Sequence, residues 1–358
     1  MFEEASVKCL LLCGVLALGM NVVGVERVYL DEKGVGSCGA CLFAHKDGGI
    51  ICGIKGWYRK SDDGGHTWRK LHPFAWKIGA TNPIRLRDGR LMSVWPALLP
   101  KDPSRRNYYA SFSNDEGKTW DGKVPLSTNN RQLYLMNDRL VRLSTGRVLI
   151  SFSVHPEELS GKKAETVGWA NTFYSDDEGQ TWREGQWLKA TVADQLCEPI
   201  TFECADGKVK MLVRTGMGFL YQADSKDGGE TWGVEYPTTL RSPCAPFFLR
   251  KDPYTGWVFI AWCNSFPAPV HQYPRSPLSL GVSRDDGKTW EFICDIENDP
   301  MSNYGYPSIF FTKDTILISY YEHCGSRVFD PREQRCKLSI FKRSELTVDR
   351  IVKTPLVK

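Results

Sequence analysis

One octapeptide pattern, Ser-x-Asp-x-Gly-x-Thr-Trp, occurs five times in this chain of 358 residues and constrains its fold more than any other feature. The copies are SDDGGHTW (61–68), SNDEGKTW (113–120), SDDEGQTW (175–182), SKDGGETW (225–232) and SRDDGKTW (283–290). They begin 52, 62, 50 and 58 residues apart. Repetition at intervals of this size indicates an array of equivalent structural units.

Each copy, called a box here, has the composition of a hairpin turn. The Asp carboxylate can accept backbone N–H bonds across the turn, Gly supplies a positive φ, and Thr is expected to resume the strand. The Trp gives each unit a large apolar surface to place against its neighbour. The boxes are therefore predicted to be structural, with the tryptophans buried in equivalent positions between successive sheets: Trp68, Trp120, Trp182, Trp232 and Trp290.

The spacing of the boxes also predicts the architecture. A unit of this length suits a four-stranded antiparallel sheet, and such sheets arranged radially form a β-propeller. Since the boxes are on average about 56 residues apart, the chain beyond residue 24 accommodates about six units. The sixth, after Trp290, has no box but contains the strand-like runs YPSIFF, TILISYYE and KLSIFK. We predict an all-β fold, a six-bladed β-propeller of four-stranded antiparallel blades, closed by a strand near the N-terminus.

Residues 1–24 differ from the rest of the chain. Lys8 precedes an apolar run from Cys9 to Met20, which is too short to span a bilayer and is typical of a cleaved secretory signal. Residues 25–358 are then expected to form a single propeller domain that is secreted or periplasmic. No other stretch reaches the length of a membrane span.

Composition limits the partners and cofactors. The 46 basic residues are balanced by 42 acidic ones without a basic run, which argues against nucleic acid as a partner. Ten cysteines follow residue 24, mostly within apolar runs such as IICGI, so buried thiols and disulfides are both open. With six histidines and a single unpaired Cys-x-x-Cys, neither a metal site nor a cofactor is predicted.

Ahead of each box lies an apolar run, a short turn and a second apolar run, which are expected to be the two innermost strands of a blade. Because these strands are antiparallel, the start of the first and the end of the second lie at the same face of the propeller. Six such pairs converge on the axis, where a polar pocket is predicted. Its rim is predicted to collect Asn82, Asn137, Asp138, Glu198 and Tyr306 from strand starts, and His155, Arg214, Asn264 and Glu322 from strand ends.

The boxes on a predicted six-bladed propeller resemble those of the sialidase (neuraminidase) superfamily, over nearly all of the chain after residue 24. The segment EPITFECADGKVKMLVR resembles a stretch in which a Glu precedes a carboxylate-binding Arg, here Glu198 and Arg214. The segment PRSPLSLGVSRDDGKTW resembles the stretch that places another such arginine before a box, here Arg275. The segment YPSIFFTKDTILISYYE resembles the nucleophile strand, with Tyr306 as nucleophile and Glu322 as the residue that orients an arginine.

The resemblance implies a mechanism to which these residue types are suited. A sialic acid carries a carboxylate on its anomeric carbon, and planar guanidinium groups are suited to bind it. The same carboxylate repels an anionic nucleophile, which a neutral tyrosine avoids when a Glu takes its proton. By this resemblance Tyr306 is the nucleophile, Glu198 is its base, and Arg214 and Arg275 bind the substrate carboxylate.

The chain departs from the family pattern at two places. The segment GSCGACLFA has Ser37 or Cys38 where the family's first arginine is expected. Only KGWYRK separates the second strand from the first box, where the family has a loop that carries its acid/base Asp. One arginine and the proton donor are therefore expected to come from other positions.

Candidates for these replacements follow from the repeat. Arg105 lies eight residues before its box, as Arg275 does, and is expected to enter the pocket from the second blade. Asp138 and His155 lie on the same predicted rim, and either can donate a proton to a leaving group, with Asp138 preferred. Asn82 is expected among the substrate-binding residues.

We therefore expect an exported, sialidase-like exo-glycoside hydrolase that releases a terminal acidic sugar, sialic acid or a related one, from a glycan. Two alternatives stay open. A non-catalytic carbohydrate-binding propeller would keep the arginines and aromatic residues but would not need the Tyr306–Glu198 pair. A propeller polysaccharide lyase would need a base beside a uronate carboxylate, for which His155 and Tyr306 are the candidates.

Overall fold

Antiparallel strands form six sheets that are arranged as the blades of a β-propeller, which confirms the predicted all-β, six-bladed fold. The computed structural model describes residues 24–30, 41–54, 56–73, 83–99, 102–127, 133–136, 138–154, 168–265, 275–324 and 334–346. No helix in these ranges is long and apolar enough to cross a membrane. The predicted leader lies outside the described residues, except for Gly24.

The first three blades follow one another along the chain. Blade one contains β2 (Cys41–Ala44), β3 (Ile50–Ile54), β4 (Trp57–Ser61) and β5 (Arg69–Pro73). Blade two contains β6 (Ile84–Arg85), β7 (Leu91–Leu99), β8 (Asp102–Ser113) and β9 (Asp121–Pro125). Blade three contains β10 (Leu133–Tyr134), β11 (Leu140–Arg142), β12 (Val148–Val154), β13 (Trp169–Ser175) and β14 (Arg183–Glu184). In blade three, β10 and β11 both pair with β12, so two short strands share the inner edge.

The last three blades complete the ring. Blade four contains β15 (Cys197–Glu203), β16 (Val209–Arg214), β17 (Phe219–Ser225) and β18 (Tyr236–Arg241). Blade five contains β19 (Phe248–Lys251), β20 (Val258–Cys263), β21 (Leu278–Ser283) and β22 (Glu291–Glu297). Blade six contains β23 (Ser302–Phe311), β24 (Thr315–Cys324), β25 (Gln334–Lys342) and β1 (Val25–Tyr29), followed by a 3-10 turn at Arg343–Glu345. The pairing of β1 with β25 confirms that a strand near the N-terminus closes the last blade.

The box turns share one set of hydrogen bonds. In all five, the Asp carboxylate accepts bonds from the backbone N–H and the hydroxyl of the Thr four residues on. In the second box, Asp115 receives these bonds from Thr119 at 2.8 and 2.6 Å, and the Gly117 N–H donates to the Ser113 hydroxyl at 2.8 Å. The Thr therefore belongs to the turn, and β9 begins only at Asp121. The prediction that the Thr resumes the strand was wrong, because its N–H and hydroxyl are both used by the Asp.

Each box lies against the preceding blade. A Cβ added to the box glycine would meet a side chain of that blade: Leu317 at Gly65, Tyr58 at Gly117, Met92 at Gly179, Leu149 at Gly229 and Phe202 at Gly287. The box tryptophans occupy equivalent positions, and each packs against an apolar cluster between blades. They are half-buried, however, and not fully buried as predicted. In the first three boxes the indole N–H stays at the turn, where it donates to the carbonyl of the box glycine.

Several described cysteines belong to this interior. Cys204, Cys244 and Cys263 are buried and carry free thiols. Burial raises the pKa of Cys263 to about 12, so its thiol stays protonated at neutral pH. These three cysteines are therefore buried thiols and do not form disulfides.

Candidate active site

Glu198 and Tyr306 meet at the axis of the propeller. The phenol of Tyr306 donates a hydrogen bond to Glu198, with Oη and Oε1 3.2 Å apart. Glu198 belongs to β15 of blade four and Tyr306 to β23 of blade six, two blades further around the ring. The structure thus brings together the two residues that the sequence paired, at a separation that permits proton transfer.

An irregularity in each strand places these two side chains. Glu198 and Tyr306 have left-handed backbone conformations, with φ of 49° and 46°. Each lies where the pairing register of its strand shifts, and each is followed by a proline, Pro199 or Pro307. Because proline has no N–H for the strand ladder, it is tolerated where the ladder is interrupted by a bulge. A left-handed φ is unfavourable for residues such as Glu and Tyr, and conformations of this kind cluster at functional sites.

Arg214 ends β16, the neighbour of β15, and contacts the same carboxylate. Its Nη1 lies 3.0 Å from Glu198 Oε1, and its Nε donates to Cys244 Sγ at 3.1 Å. Burial works to lower the pKa of Arg214, but the Glu198 carboxylate outweighs it, so the pKa is raised. The guanidinium is therefore charged and held on two sides. Gln195 supports this arrangement, since its amide also donates to Cys244, at 3.3 Å.

Arg275 reaches the site through a second tyrosine. It precedes β21, and its Nη1 donates to the hydroxyl of Tyr321. The ring of Tyr321 lies 5.8 Å from the ring of Tyr306, measured between centroids. Burial raises the pKa of the Tyr321 phenol, although Arg275 acts against this shift. In the described contacts Arg275 is thus linked to Tyr306 by Tyr321, a residue that the sequence did not single out.

Asp138, the preferred proton donor, has a different environment from the one expected. Its side chain is 1% exposed and forms an ion pair with Arg250 of blade five. Arg250 is fixed in turn, since its Nη1 donates to the carbonyl of Ile309 at 2.9 Å. A buried carboxylate that is paired with a guanidinium is poorly placed to protonate an incoming leaving group. These contacts give no support to an acid/base role.

Glu322 also lies away from the arginines that it was expected to orient. Its carboxylate accepts bonds from Lys337 at 2.8 Å and from Tyr29 at 3.3 Å. The reason is the alternation of side chains along β24: Tyr321 turns to Arg275, so its neighbour Glu322 turns to the opposite face. Lys337 bridges Glu322 to Glu297 of blade five, which makes this an ion-pair cluster between two blades.

Of the other predicted residues, Asn264 follows β20 directly and is half-buried, and its backbone N–H donates to the carbonyl of Pro277 at 3.1 Å. The side chain of Arg105 is not described, and Asn137 lies outside the described residues. Arg105 lies inside strand β8, whereas Arg275 precedes its strand β21, so the shared spacing of eight residues does not make their positions equivalent. The long hairpin of β7 and β8 causes this difference. Asn82 and His155 lie outside the described residues.

The structure adds one charged residue that the sequence reasoning missed. Arg139, next to Asp138, is 2% exposed and interacts electrostatically with Glu198 and Tyr306. Its repeat position could have revealed it. The turn that follows Leu143 in blade three has the same hydrogen bonds as the turn that follows Cys204 in blade four. Arg139 precedes the first turn by the same number of residues as the buried Ile200 precedes the second, so the two residues occupy equivalent positions. An arginine at an apolar core position of a repeat calls for a functional explanation.

Among the described residues, positive charge exceeds negative charge around the Tyr306–Glu198 pair. Arg214 contacts the Glu198 carboxylate, Arg139 interacts with it electrostatically and Arg275 contacts the adjacent Tyr321, while Asp138 is already paired with Arg250. An anionic ligand would balance this excess. No cluster of His, Cys, Asp and Glu that would hold a metal ion occurs among the described residues.

An axial cavity of about 350 Å³ extends along the inner strands of all six blades. Asp138 lines it together with Arg142 and Lys251, and Arg142 is paired with Glu178 of the third box. Neither member of the Tyr306–Glu198 pair is among the residues that line this cavity.

Comparison with known proteins places the chain in a family. The family profile described as "BNR repeat-like domain" matches residues 80–318, which is more than half of the chain. The chain belongs to the BNR repeat-like family. This BNR repeat-like protein is 25% identical over 267 residues to a sialidase of Micromonospora viridifaciens, a match that covers 65% of the chain and 40% of the relative. It is also 25% identical over 222 residues to an anhydrosialidase of Macrobdella decora, covering 56% of the chain and 27% of the relative.

Solved structures share the fold of the BNR repeat-like protein at low identity. A protein of unknown function from Dyadobacter fermentans has a TM-score of 0.67 at 19% identity, over 90% of this chain and all of the other. An α-L-arabinofuranosidase of Fusarium graminearum has a TM-score of 0.63 at 13% identity, over 92% and 99%. A Trypanosoma rangeli sialidase mutant has a TM-score of 0.62 at 14% identity, over 92% and 60%. These structures share the propeller fold, and the family match together with the sialidase relatives places the BNR repeat-like protein in the sialidase-like superfamily. The chain spans less than half the length of either curated relative.

Proposed function

We propose that this BNR repeat-like protein is an exo-glycoside hydrolase that releases a terminal acidic sugar, sialic acid or a related sugar, from a glycan. The observation that carries the proposal is the contact of the Tyr306 phenol and the Arg214 guanidinium with one oxygen, Oε1 of Glu198. Tyr306 as a neutral nucleophile, Glu198 as its base and Arg214 as a cation for the substrate are then in direct contact with one another through Glu198. The named activities of the curated relatives, a sialidase and an anhydrosialidase, agree with this assignment.

The proposed reaction uses the pair as nucleophile and base. The Tyr306 oxygen forms a bond to the anomeric carbon while its proton passes to Glu198, and the bond from that carbon to the leaving oxygen breaks. The leaving oxygen takes up a proton from water or from a group at the mouth of the pocket. Water then attacks the anomeric carbon of the glycosyl-tyrosine intermediate and gives up a proton to the group, or the hydroxide, left by protonation of the leaving oxygen. The bond from that carbon to the Tyr306 oxygen breaks as Glu198 returns its proton to the phenol, and the free sugar leaves.

The charges at the site favour an acidic substrate over a neutral one. A sugar carboxylate would be attracted by Arg214 and Arg275, whose guanidinium groups suit its planar shape. The same carboxylate would repel a carboxylate nucleophile, and a tyrosine nucleophile avoids that repulsion. A neutral pentose would leave the excess positive charge of the pocket without a partner.

Two fluorogenic substrates with the same leaving group test the proposal. The protein is incubated with a 4-methylumbelliferyl sialoside and, separately, with the corresponding α-L-arabinofuranoside. We expect fluorophore release from the sialoside alone, and a loss of about a hundredfold to ten-thousandfold in Glu198→Gln with at least as large a loss in Tyr306→Phe. Tyr236→Phe is the matched control, because the Tyr236 hydroxyl lies on the outer part of blade four, where it donates to Asp224 at 3.0 Å, and its loss should leave the rate unchanged.

Other results would favour other functions. Ultraviolet-absorbing unsaturated ends from a uronate polysaccharide would favour a lyase. Binding of acidic sugars without any product would favour a carbohydrate-binding propeller. Full activity in Tyr306→Phe would exclude Tyr306 as the nucleophile.

A further inference from the structure

Arg139 is a buried cation without a hydrogen-bonded partner at its tip. The residue is 2% exposed, and neither Nη1 nor Nη2 has a hydrogen-bond partner among the described residues. Guanidinium groups stay protonated in proteins, so this side chain carries a full charge in the interior. A buried charge with no hydrogen-bonded counterion destabilises a fold strongly, and its presence therefore needs a reason other than stability.

The surroundings of Arg139 locate its charge at the axis. It interacts electrostatically with Glu198 of blade four, with its neighbour Asp138, with Tyr306 of blade six and with Cys41, the first residue of β2 in blade one. Burial lowers the pKa of Arg139, and the two carboxylates act against this shift. Asp138 is buried and already paired with Arg250. Glu198 contacts Arg214 at 3.0 Å through Oε1 only, while its buried Oε2 has no hydrogen bond among the described residues, so Arg139 adds a second positive charge to the Tyr306–Glu198 pair.

Arg139 also supplies a positive charge at a site where one of the arginines of the resembled family is absent. The first arginine of the resembled family was expected just before β2, where this chain has Ser37 and Cys38. Arg139 belongs to blade three and interacts electrostatically with Cys41 of this same strand β2. A substrate cannot contact its guanidinium in this conformation, because almost none of the side chain is accessible.

We propose that Arg139 is a positioning residue that acts through the Tyr306–Glu198 pair by stabilising the single negative charge which the pair carries in its reactive form. The inference rests on the reactive role proposed above for that pair. Because the two groups share a proton, the charge belongs to the pair and not to either residue alone. Without the cation, the pair should gain its negative charge only at higher pH, while substrate affinity should be unaffected.

The test measures ionisation and stability, neither of which requires a glycan. Protein labelled with 13C at the glutamate carboxyl carbon is titrated by NMR, and the Glu198 signal is assigned by its absence in Glu198→Gln. In Arg139→Met the Glu198 signal should titrate roughly one pH unit or more above its wild-type position, and Arg139→Lys should retain most of the wild-type behaviour. The free energy of unfolding of Arg139→Met should equal or exceed that of the wild type, because an unpaired buried charge has been removed.

Arg142→Met is the matched control, since Arg142 lies on β11 three residues further on and is paired with Glu178. It should lose stability and leave the titration of Glu198 unchanged. Equal titration of Glu198 in the wild type and Arg139→Met would overturn the proposal. A loss of folding or stability in Arg139→Met as large as in Arg142→Met would also overturn the proposal, because it would make Arg139 a structural residue.

Absence of glycosidase activity would count against the proposed function but would not change the titration of Glu198 or the free energy of unfolding. Where turnover is present, Arg139→Met should move the acid limb of the pH profile upward without raising KM, and a rise in KM alone would overturn the inference.

Discussion

Tyr306 and Glu198 hold the same left-handed backbone conformation on two different blades, and their side chains meet across the axis at 3.2 Å. The other described non-glycine residues with positive φ lie in box turns, at Glu116, Glu178 and Asp286. A left-handed φ costs on the order of 1–3 kcal/mol at a residue with a side chain. The fold incurs this cost at both residues of one site. If both strands were regular, at least one of the two side chains would point away from the other.

Arg214→Lys should weaken the binding of an acidic sugar about tenfold or more. The guanidinium contacts Glu198 through Nη1 and Cys244 through Nε, and a single ammonium group cannot hold both contacts and a sugar carboxylate. Calorimetric titration with free sialic acid measures the effect, with Arg183→Lys on the exposed part of β14 as the control. Unchanged affinity in Arg214→Lys, or tighter binding of a neutral sugar by the wild type, would contradict an anion-binding role.

Glu322→Gln should lower stability and leave KM for an acidic substrate unchanged. Its carboxylate accepts a bond from Lys337 at 2.8 Å in a buried cluster, and removing that partner should cost about 1–3 kcal/mol. Urea denaturation gives the free energy of unfolding, and initial rates give KM. A higher KM with unchanged stability would restore the substrate-binding role that the sequence suggested.

The fold could be predicted from the sequence because the box recurs with its full set of hydrogen-bonding side chains. Glu198, Arg214 and Tyr306, whose side chains are in contact, could be selected from the sequence because they lie in segments with a recognisable family pattern. Glu322 was placed on the wrong face, since a shift of one residue along a strand reverses the direction of a side chain.

Contacts between distant parts of the chain were beyond such reasoning. Asp138 is paired with Arg250, which is 112 residues away and on another blade, so its burial could not be read from its own segment. Arg139 stands one residue beyond the predicted rim residue Asp138, so its own segment does not distinguish it from other strand residues. Its equivalence to Ile200 appears only when the turns of blades three and four are aligned.

Asp227→Asn should destabilise the protein at neutral pH by about 1–2 kcal/mol, because the box carboxylate accepts bonds from Ser225 and from both donors of Thr231. Partial burial works to raise the pKa of Asp227, but these hydrogen bonds outweigh it and hold the pKa below its usual range. A lowered pKa in the folded state stabilises the fold above the unfolded pKa of about 3.9, and this contribution is lost as pH falls through the folded value.

The difference in Tm between the wild type and Asp227→Asn should therefore be full at neutral pH and close as pH falls below about 4. Thermal scans across this range measure it. Lys226→Gln changes the exposed neighbour in the same box and should show no such difference at neutral pH. A gap between wild type and Asp227→Asn that stays constant down to strongly acidic pH would mean that the charge of the box carboxylate does not contribute to stability.

Gly117→Ala should destabilise the fold more than Gly207→Ala, although the two glycines have nearly the same backbone conformation. Their φ values are +83° and +81°, so an alanine at either position incurs the left-handed cost of about 1–2 kcal/mol. A Cβ at Gly117 would also lie 2.8 Å from Cε2 of the buried Tyr58 in blade one, whereas nothing lies within 4 Å at Gly207. Overpacking of this kind adds about 1–3 kcal/mol, and urea denaturation of both variants gives the difference directly. Equal losses would show that the contact between a box and the preceding blade is loose enough to accept a methyl group, and that the box glycine is required only for its φ.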